Sequence, residues 1–289
     1  MRKVLIIAGP TASGKTARAV ETALKRNGEI INSDSLQVYN CLKILTAFPT
    51  DADMKLVPHK LFGYLGYQDE SSAVAWATLA SQKVEEALEH SSLPIIVGGT
   101  GLYVNTLVNG ISPLPEISSA VRNHVASMDY EELCAKLYKA DPGLIGVVTK
   151  QQHHQMLRAY EIFLKTGKSI LHFRNLPRQV FLSNVEYEYD LIECDRTRLY
   201  GRINARFEKM LDAGAVDEVR CFLASIGYTR CDRSMLFKRY RIFNAIGAKE
   251  ITMYLDGEIS FEQMKEIATL NLRHYAKRQM TWLRHHIPL

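Results

Sequence analysis

A phosphate-binding loop is predicted near the start of the chain. It reads Gly9-Pro10-Thr11-Ala12-Ser13-Gly14-Lys15-Thr16 and stands between an apolar run, Val4–Ala8, and a helix-like segment, Ala17–Lys25. Glycines let backbone N–H groups wrap an oligophosphate, and the positive N-terminus of the following helix faces the anion. Lys15 is expected to meet the outer phosphate, and Thr16 to offer its hydroxyl group to Mg²⁺. The same cradle binds ATP in kinases and hydrolases and a diphosphate leaving group in other enzymes, so it does not decide the reaction.

A carboxylate is predicted close to this loop. Residues 29–32 resemble a short strand that runs into Asp34, and neighbouring parallel strands end at the same edge of a sheet. Asp34 is therefore a candidate general base. It is equally a candidate helix cap, because Asp before an apolar run is a good N-cap residue. The local sequence leaves both interpretations open.

The strand predicted at Leu93–Val97 ends in Gly98-Gly99-Thr100-Gly101-Leu102-Tyr103. In switch and motor NTPases this strand is closed by an acidic residue that holds Mg²⁺. Its absence here argues against those classes. Thr100 is a candidate site residue, although a Gly-rich turn with an incidental threonine would look the same.

Basic residues are concentrated late in the chain. Arg198, Arg202 and Arg206 recur every four residues on one predicted helix face, which favours an anionic ligand or acidic partners. In the last predicted helix, Arg273, Lys277 and Arg284 share a second face, which suits a polyanionic partner or is simply solvated.

The elements that must position these residues predict an α/β fold. We expect a P-loop NTPase-like parallel sheet flanked by helices, formed by residues 1–110 and 185–289. Between Ile111 and Asn184 the alternation of strands and helices stops, and helices are predicted at Ser118–Ser127, Tyr130–Tyr138 and Gln151–Thr166. This segment, 111–184, is predicted to be an inserted all-helical domain. The sheet is expected to resume at Tyr189–Cys194, and 41–70 to form loops.

The composition is that of a globular protein. The 289 residues are 47% hydrophobic and 23% charged, with a net charge of +5. No apolar run approaches the length of a membrane span, and no secretory leader is evident. The five cysteines are scattered and are interpreted as reduced thiols. We expect a cytoplasmic monomer without membrane contact.

Several motifs together resemble one family, the tRNA dimethylallyltransferases (tRNA isopentenyltransferases). They occur in the family's order: the phosphate loop, Asp34-Ser35-Leu36-Gln37-Val38-Tyr39, Gly98–Tyr103, Arg158-Ala159-Tyr160-Glu161, Ile246-Gly247-Ala248-Lys249-Glu250 and Ala276–Arg284. The last segment reads Ala-Lys-Arg-Gln-Met-Thr-Trp-Leu-Arg. The resemblance covers nearly the whole chain.

This resemblance implies transfer of a dimethylallyl group from its diphosphate to N6 of the adenosine on the 3′ side of the anticodon. The cradle, with Mg²⁺ on Thr16, would then hold the leaving pyrophosphate through amides from Thr11 to Thr16, and Arg202 and Arg206 would clamp it. Asp34 would accept the N6 proton. Thr100 is expected to hydrogen-bond Asp34 or the diphosphate.

The resemblance also implies that the anticodon stem-loop of a tRNA is the partner and that the adenosine is flipped out of its stack. The residues expected to contact tRNA are Asp34, Ser35, Leu36, Gln37, Thr100, Arg122, Gln151, Gln155, Arg158, Gly247, Lys249, Arg273, Lys277, Arg278 and Arg284.

The chain departs from the family pattern at a few positions. Phe48 stands where a lysine is usual, Ala248 replaces a tyrosine and Leu272 a threonine, and the insertion has Gln151–Gln155 in place of an Asn-Asp pair and an arginine. Two other functions stay open: a small-molecule kinase in which Asp34 is the base, and a tRNA-binding protein that has lost catalysis.

Overall fold

A computed structural model describes residues 2–148 and 152–286. The chain divides into two compact units, a sheet unit formed by Met1–Val108 with Phe181–Leu289 and an insertion unit formed by Asn109–Val180. Each has its own hydrophobic core.

The sheet unit is built on five parallel strands in the order β3-β2-β4-β1-β5. The strands are β1 (Lys3–Ala8), β2 (Gly28–Asn32), β3 (His59–Lys60), β4 (Leu93–Gly98) and β5 (Glu186–Leu191). The central β1 and β4 are apolar because helices cover both faces of the sheet, as is usual for parallel sheets. Because β4 lies between β1 and β2, the chain segments that follow these three strands meet at one edge.

The helices of the sheet unit are α1 (Lys15–Arg26), α2 (Asp51–Leu56), α3 (Ala73–Glu89), α4 (Gly101–Asn109), α9 (Arg196–Asp212), α10 (Ala215–Ser225), α11 (Arg233–Arg239), α12 (Ala248–Leu255) and α13 (Phe261–His286). The insertion unit contains α5 (Ser119–Ala126), α6 (Tyr130–Ala140), α7 (His153–Thr166) and α8 (Ile170–Arg174). The α/β fold with flanking helices is confirmed.

Three local predictions were wrong in detail. The last strand covers Glu186–Leu191 and not Tyr189–Cys194, because an edge strand alternates exposed Glu with half-buried Tyr and lacks the apolar run of a central strand. Segment 41–70 contains α2, which a Thr50–Asp53 capping box begins, and the short strand β3. The helix after the phosphate loop begins at Lys15, two residues earlier than predicted.

Candidate functional site

The phosphate loop, residues 9–16, closes tightly between β1 and α1. Gly14 has φ +99°, where an L side chain is strained, and a Cβ at Gly9 would stand 2.8 Å from Ser13 Oγ. The Ser13 hydroxyl is buried and has no hydrogen-bond partner in the part of the chain that the structure describes. Such a group is satisfied when a ligand with acceptor oxygens enters the loop.

Two of the amides that were expected to bind phosphate already have acceptors. Thr11 N donates to Gln279 Oε1 at 2.7 Å, and Ser13 N donates to Pro10 O at 3.2 Å. The N-cap residue of α1, Gly14, has no side chain to bond the first amides of the helix. The anion-binding potential of the loop therefore lies at the N-terminus of α1.

Lys15 lies within the loop, where Nζ donates to Pro10 O at 2.7 Å. Burial lowers the pKa of Lys15 to about 8, while the nearby charge of Asp34 opposes the shift and that of Arg206 adds to it. Burial also lowers the pKa of Arg206, again against Asp34. Lys15, Asp34 and Arg206 thus form one electrostatic cluster.

The predicted arginine face on α9 reaches the phosphate loop at two of its three positions. Arg202 Nη1 donates to Ser13 O at 3.4 Å, and both Arg202 and Arg206 line the cavity beside Lys15. Arg198 is exposed, and its backbone amide is capped by Asp195. Of the two interpretations of this face, the structure favours the anionic ligand for Arg202 and Arg206.

Asp34 follows β2 and its carboxylate lies in a loop, not at a helix N-terminus. Its Oδ1 accepts from Leu36 N at 2.9 Å, which is a local turn-stabilising bond of the capping kind. Its backbone is held by the fully buried Asn32, whose amide bonds Asp34 N at 2.8 Å and Asp34 O at 3.0 Å. Asp34 therefore makes a cap-like bond and also faces the cluster of cations.

Thr100 contacts Ser35 and not Asp34, contrary to one of its two expected bonds. Its Oγ1 accepts from Ser35 N at 3.0 Å and lies 3.2 Å from Ser35 Oγ. The reason is the close approach of the two strand ends, since a Cβ at Gly98 would stand 2.4 Å from the carbonyl carbon of Ser33. Thr100 thus fixes the turn that carries Asp34.

Two cavities share Asp34 among their lining residues. The phosphate-loop cavity, of about 320 Å³, is lined by Lys15, Thr16, Arg202 and Arg206. The lining of the Tyr275 cavity, of about 540 Å³, includes Arg241, Tyr275 and Arg278. Asp34, Thr11 and Thr46 line both cavities, and Asp34 is the charged residue of the three. Groups bound in the two cavities would therefore meet beside Asp34.

Other predicted contact residues of the sheet unit have varied surroundings. Gln37 Nε2 donates to the carbonyls of Thr46 and Ala47, which anchors the loop beside the phosphate-loop cavity. Ser35 and Leu36 line the Tyr275 cavity. Gly247 is buried, has φ +104° and packs against Leu45, and its contact with tRNA stays a prediction.

The basic residues of the C-terminal part also divide. Lys277, Arg278 and Arg284 on α13 are exposed. Arg273 is half-buried, and its Nη2 donates to Asn204 Oδ1 at 2.9 Å. Lys249 Nζ lies 5.6 Å from the centroid of the Phe237 ring.

The insertion unit holds the remaining predicted tRNA contacts. Gln155 is exposed and Arg122 is half-buried. Arg158 already bonds within the unit, to Glu161 at 3.2 Å and to Pro115 O at 3.1 Å. Gln151 lies outside the described residues.

Three residues that support the site are not among the site residues predicted from the sequence. Asn32 supports Asp34, and Gln279 reaches the phosphate loop from α13, as described above. The indole of Trp76 donates to Asn32 O at 2.7 Å from beneath. A polar residue at the end of a buried strand was the available signal for Asn32. Gln279 lies within the Ala276–Arg284 motif, but the motif does not show that its side chain contacts Thr11 and Gly99, which are distant in sequence.

Among residues 2–148 and 152–286, no group of three His, Cys, Asp or Glu side chains is arranged to hold a metal ion. Over the same ranges, no helix has the length and apolarity needed to span a membrane. Mg²⁺ fits this site only in the manner usual for nucleotide enzymes, through one protein hydroxyl, here that of Thr16, together with substrate phosphate oxygens and water.

Phe48, which stands where a lysine is usual in the family, packs against a neighbouring aromatic ring. The Phe48 ring lies edge-on to Phe62 with centroids 5.6 Å apart, and Lys43 Nζ stands 5.1 Å from the Phe48 centroid. Phe62 lines the phosphate-loop cavity. The aromatic pair of Phe48 and Phe62 therefore lies beside the phosphate-loop cavity.

Known proteins share this sequence and fold. The chain matches the family model described as IPP transferase over residues 37–286 and the one described as isopentenyl transferase over residues 2–60. A tRNA dimethylallyltransferase of Zymomonas mobilis is 40% identical over 282 residues, which cover 98% of this chain and 88% of the relative.

Two solved structures show the same architecture. A eukaryotic dimethylallyltransferase acting on tRNA superposes with a TM-score of 0.81 at 26% identity, covering 98% of this chain and 70% of that one. The tRNA isopentenylpyrophosphate transferase of Bacillus halodurans superposes with a TM-score of 0.68 at 32% identity, covering 99% and 88%. The resemblance inferred from the motifs is confirmed: the chain belongs to the IPP transferase family.

Proposed function

We propose that this protein transfers the dimethylallyl group of dimethylallyl diphosphate to N6 of the adenosine on the 3′ side of the anticodon in tRNA. The observation that carries the proposal is the shared position of Asp34 between the phosphate-loop cavity and the Tyr275 cavity. The first cavity has the cations a diphosphate needs. The second is larger and is open to a flipped base.

In this reaction the bond between C1 of the prenyl group and the diphosphate oxygen breaks, and a bond between N6 and C1 forms. The proton lost by N6 passes to the Asp34 carboxylate, and pyrophosphate leaves. Negative charge develops on the leaving oxygen. It is stabilised by the positive charges of Lys15, Arg202 and Arg206 and by the backbone amides at the start of α1. Mg²⁺ bound at Thr16 would neutralise further charge on the pyrophosphate.

Thr100 and Asn32 hold Asp34, the proposed general base, in place without contacting the reacting atoms. Thr100 bonds the backbone of Ser35, and Asn32 bonds both backbone groups of Asp34, so the turn is held from two sides. The phosphate contacts of tRNA fall to the exposed Lys277, Arg278 and Arg284. A tRNA substrate agrees with the cytoplasmic location expected from the sequence.

The test is to incubate the protein with ATP, dimethylallyl diphosphate and unmodified tRNA in pairs and to measure pyrophosphate and modified nucleosides. We expect pyrophosphate release only with the prenyl donor and tRNA together, with N6-dimethylallyladenosine in the digested RNA. Transfer of the γ-phosphate of ATP to a nucleoside would establish the kinase alternative. RNA binding without turnover would leave only a binding function.

A further inference from the structure

Gln279 on α13 is a buried polar side chain that bonds through both ends of its amide. Only 7% of it is exposed. Its Oε1 accepts from Thr11 N at 2.7 Å, and its Nε2 donates to Gly99 O at 2.9 Å. A buried glutamine with both groups satisfied holds its neighbours firmly, because breaking either bond leaves a buried polar group unpaired.

The two partners of Gln279 belong to different parts of the site. Thr11 lies in the phosphate loop. Gly99 precedes Thr100, which holds the turn that carries Asp34. One side-chain amide therefore spans the loop that holds the leaving group and the turn that places the base.

The glycines that follow β4 allow α13 to pack closely against the backbone. A Cβ at Gly99 would stand 2.1 Å from Gln279 Nε2, and a Cβ at Gly101 would stand 2.3 Å from the Trp282 ring. Gln279 and Trp282 lie three residues apart and share one face of α13. The helix is thus packed directly on the backbone of 99–101, which leaves Gln279 little freedom to move.

The Thr11 amide needs this partner because of the loop's shape. Ala12 has φ +61° and Gly14 has φ +99°, so two of the three residues after Thr11 are left-handed. Within the described residues, Gln279 Oε1 is the acceptor that the structure gives Thr11 N. The conformation of the phosphate loop is therefore set partly by α13.

We propose that Gln279 is a positioning residue for prenyl transfer: it fixes the spacing between the phosphate loop and the Thr100–Asp34 turn, so that the prenyl carbon and the accepting nitrogen are aligned. This rests on the proposed function. Its consequence is that loss of Gln279 slows the chemical step more than it weakens tRNA binding, since small misplacements of reacting groups are costly.

Three variants test the proposal. Gln279→Met keeps the side-chain length and removes both bonds. Gly99→Ala keeps Gln279 but pushes its amide away, and it is tolerated by the backbone because Gly99 is not left-handed. Gln263→Met is the matched control, since Gln263 is an exposed glutamine about four turns before Gln279 on the same helix, and its Oε1 accepts from Ser260 N at 2.8 Å.

The measurements are single-turnover prenyl transfer, affinity for an anticodon stem-loop, and hydrogen exchange of the Thr11 amide. For Gln279→Met and Gly99→Ala we expect a rate lower by about 10- to 100-fold, stem-loop affinity within about twofold of wild type, and faster exchange at Thr11. The control should match wild type in all three. Normal turnover in both variants, or unchanged exchange at Thr11, overturns the proposal.

A wild-type protein without prenyl transfer would instead contradict the proposed function. The role of Gln279 is then decided by affinity for inorganic pyrophosphate with Mg²⁺. A loss of at least about fivefold in Gln279→Met relative to Gln263→Met, together with faster Thr11 exchange, supports it. Equal affinities reject it.

Discussion

Asp34 makes a local hydrogen bond and also acts electrostatically on two nearby cations. Its Oδ1 accepts from Leu36 N, as a cap would, while its charge acts on Lys15 and Arg206. A carboxylate can do both, because one oxygen serves the turn and the other is left for a substrate. The helix-cap interpretation is wrong, since no helix begins at Asp34, but its bond to Leu36 N leaves the general-base hypothesis open.

The Asp34→Asn variant separates these roles. Asn retains Oδ1 for the Leu36 amide and caps about as well as Asp, but it cannot take a proton from N6. We expect single-turnover prenyl transfer to fall by about 10²–10⁴-fold with an unchanged melting temperature. Asp129→Asn is the control, because Asp129 caps α6 through Glu132 N at 2.8 Å. A normal rate in Asp34→Asn would show that Asp34 is not the base.

The lowered pKa of Lys15 leads us to expect that donor binding depends on pH. Its pKa is lowered to about 8, so it loses its charge as the pH rises through 8. The charged form binds the diphosphate better, and affinity for dimethylallyl diphosphate should therefore be greatest below pH 8 and fall above it, by up to about tenfold per pH unit.

The Lys15→Arg variant is the matched test, measured by calorimetry between pH 7 and 9.5. Arginine stays charged throughout this range, so its affinity should be flat above pH 8 even if it is weaker overall. Parallel decline in wild type and Lys15→Arg would mean that another group titrates.

The helix α13 has one face that packs on the strand ends and another that is exposed and basic. Gln279 and Trp282 face the strand ends, while Lys277 and Arg284 are exposed on the other side. Arg273 was grouped with these two by spacing, but it donates to Asn204 on α9, and its guanidinium carbon lies 5.6 Å from the Tyr200 ring centroid. Arg273 therefore differs from Lys277 and Arg284 in being partly engaged within the protein.

This difference is measurable through salt. Replacing Lys277 and Arg284 together by Gln should weaken tRNA binding at low salt and flatten its salt dependence by roughly one counterion per contact. Arg273→Gln should leave the salt slope unchanged and lower the melting temperature, because it breaks packing between α9 and α13. An unchanged slope in the double variant would make that face ordinary solvated charge.

At the scale of the whole molecule, each unit buries its own core. Leu107 is fully buried in the sheet unit, and Leu133 is fully buried in the insertion unit. The phosphate-loop cavity, where we propose that the diphosphate binds, is lined only by residues of the sheet unit. Binding of the donor should therefore depend on the stability of the sheet unit alone.

A pair of matched truncations checks this independence. Leu107→Ala and Leu133→Ala should each cost about 2–5 kcal/mol of unfolding free energy in their own unit. Below the melting range, Leu133→Ala should bind dimethylallyl diphosphate as wild type does, while calorimetry shows the donor raising only the transition that Leu107→Ala lowers. One transition shifted equally by both variants would contradict separate units.

The phosphate loop, the α/β class and the family could all be predicted from the order of residues. These depend on local patterns: an apolar strand, a glycine-rich turn and a helix follow one another within 26 residues. The sequence also predicted that Asp34 and Thr100 follow neighbouring strands, because parallel strand ends lie together at one edge of a sheet.

The contacts among these residues could not be predicted from the sequence, because they depend on packing between distant segments. The bond from Thr11 to Gln279 joins residues 268 positions apart, and the packing of Gly99 and Gly101 under α13 has no local signature. The hydrogen bonds of Arg273 and Arg158 within the protein, and the burial of Gly247, are likewise not visible in spacing or motifs. Periodicity reports which face of an element a residue occupies, whereas the partner across that face is set by long-range packing, which the order of residues along the chain does not state.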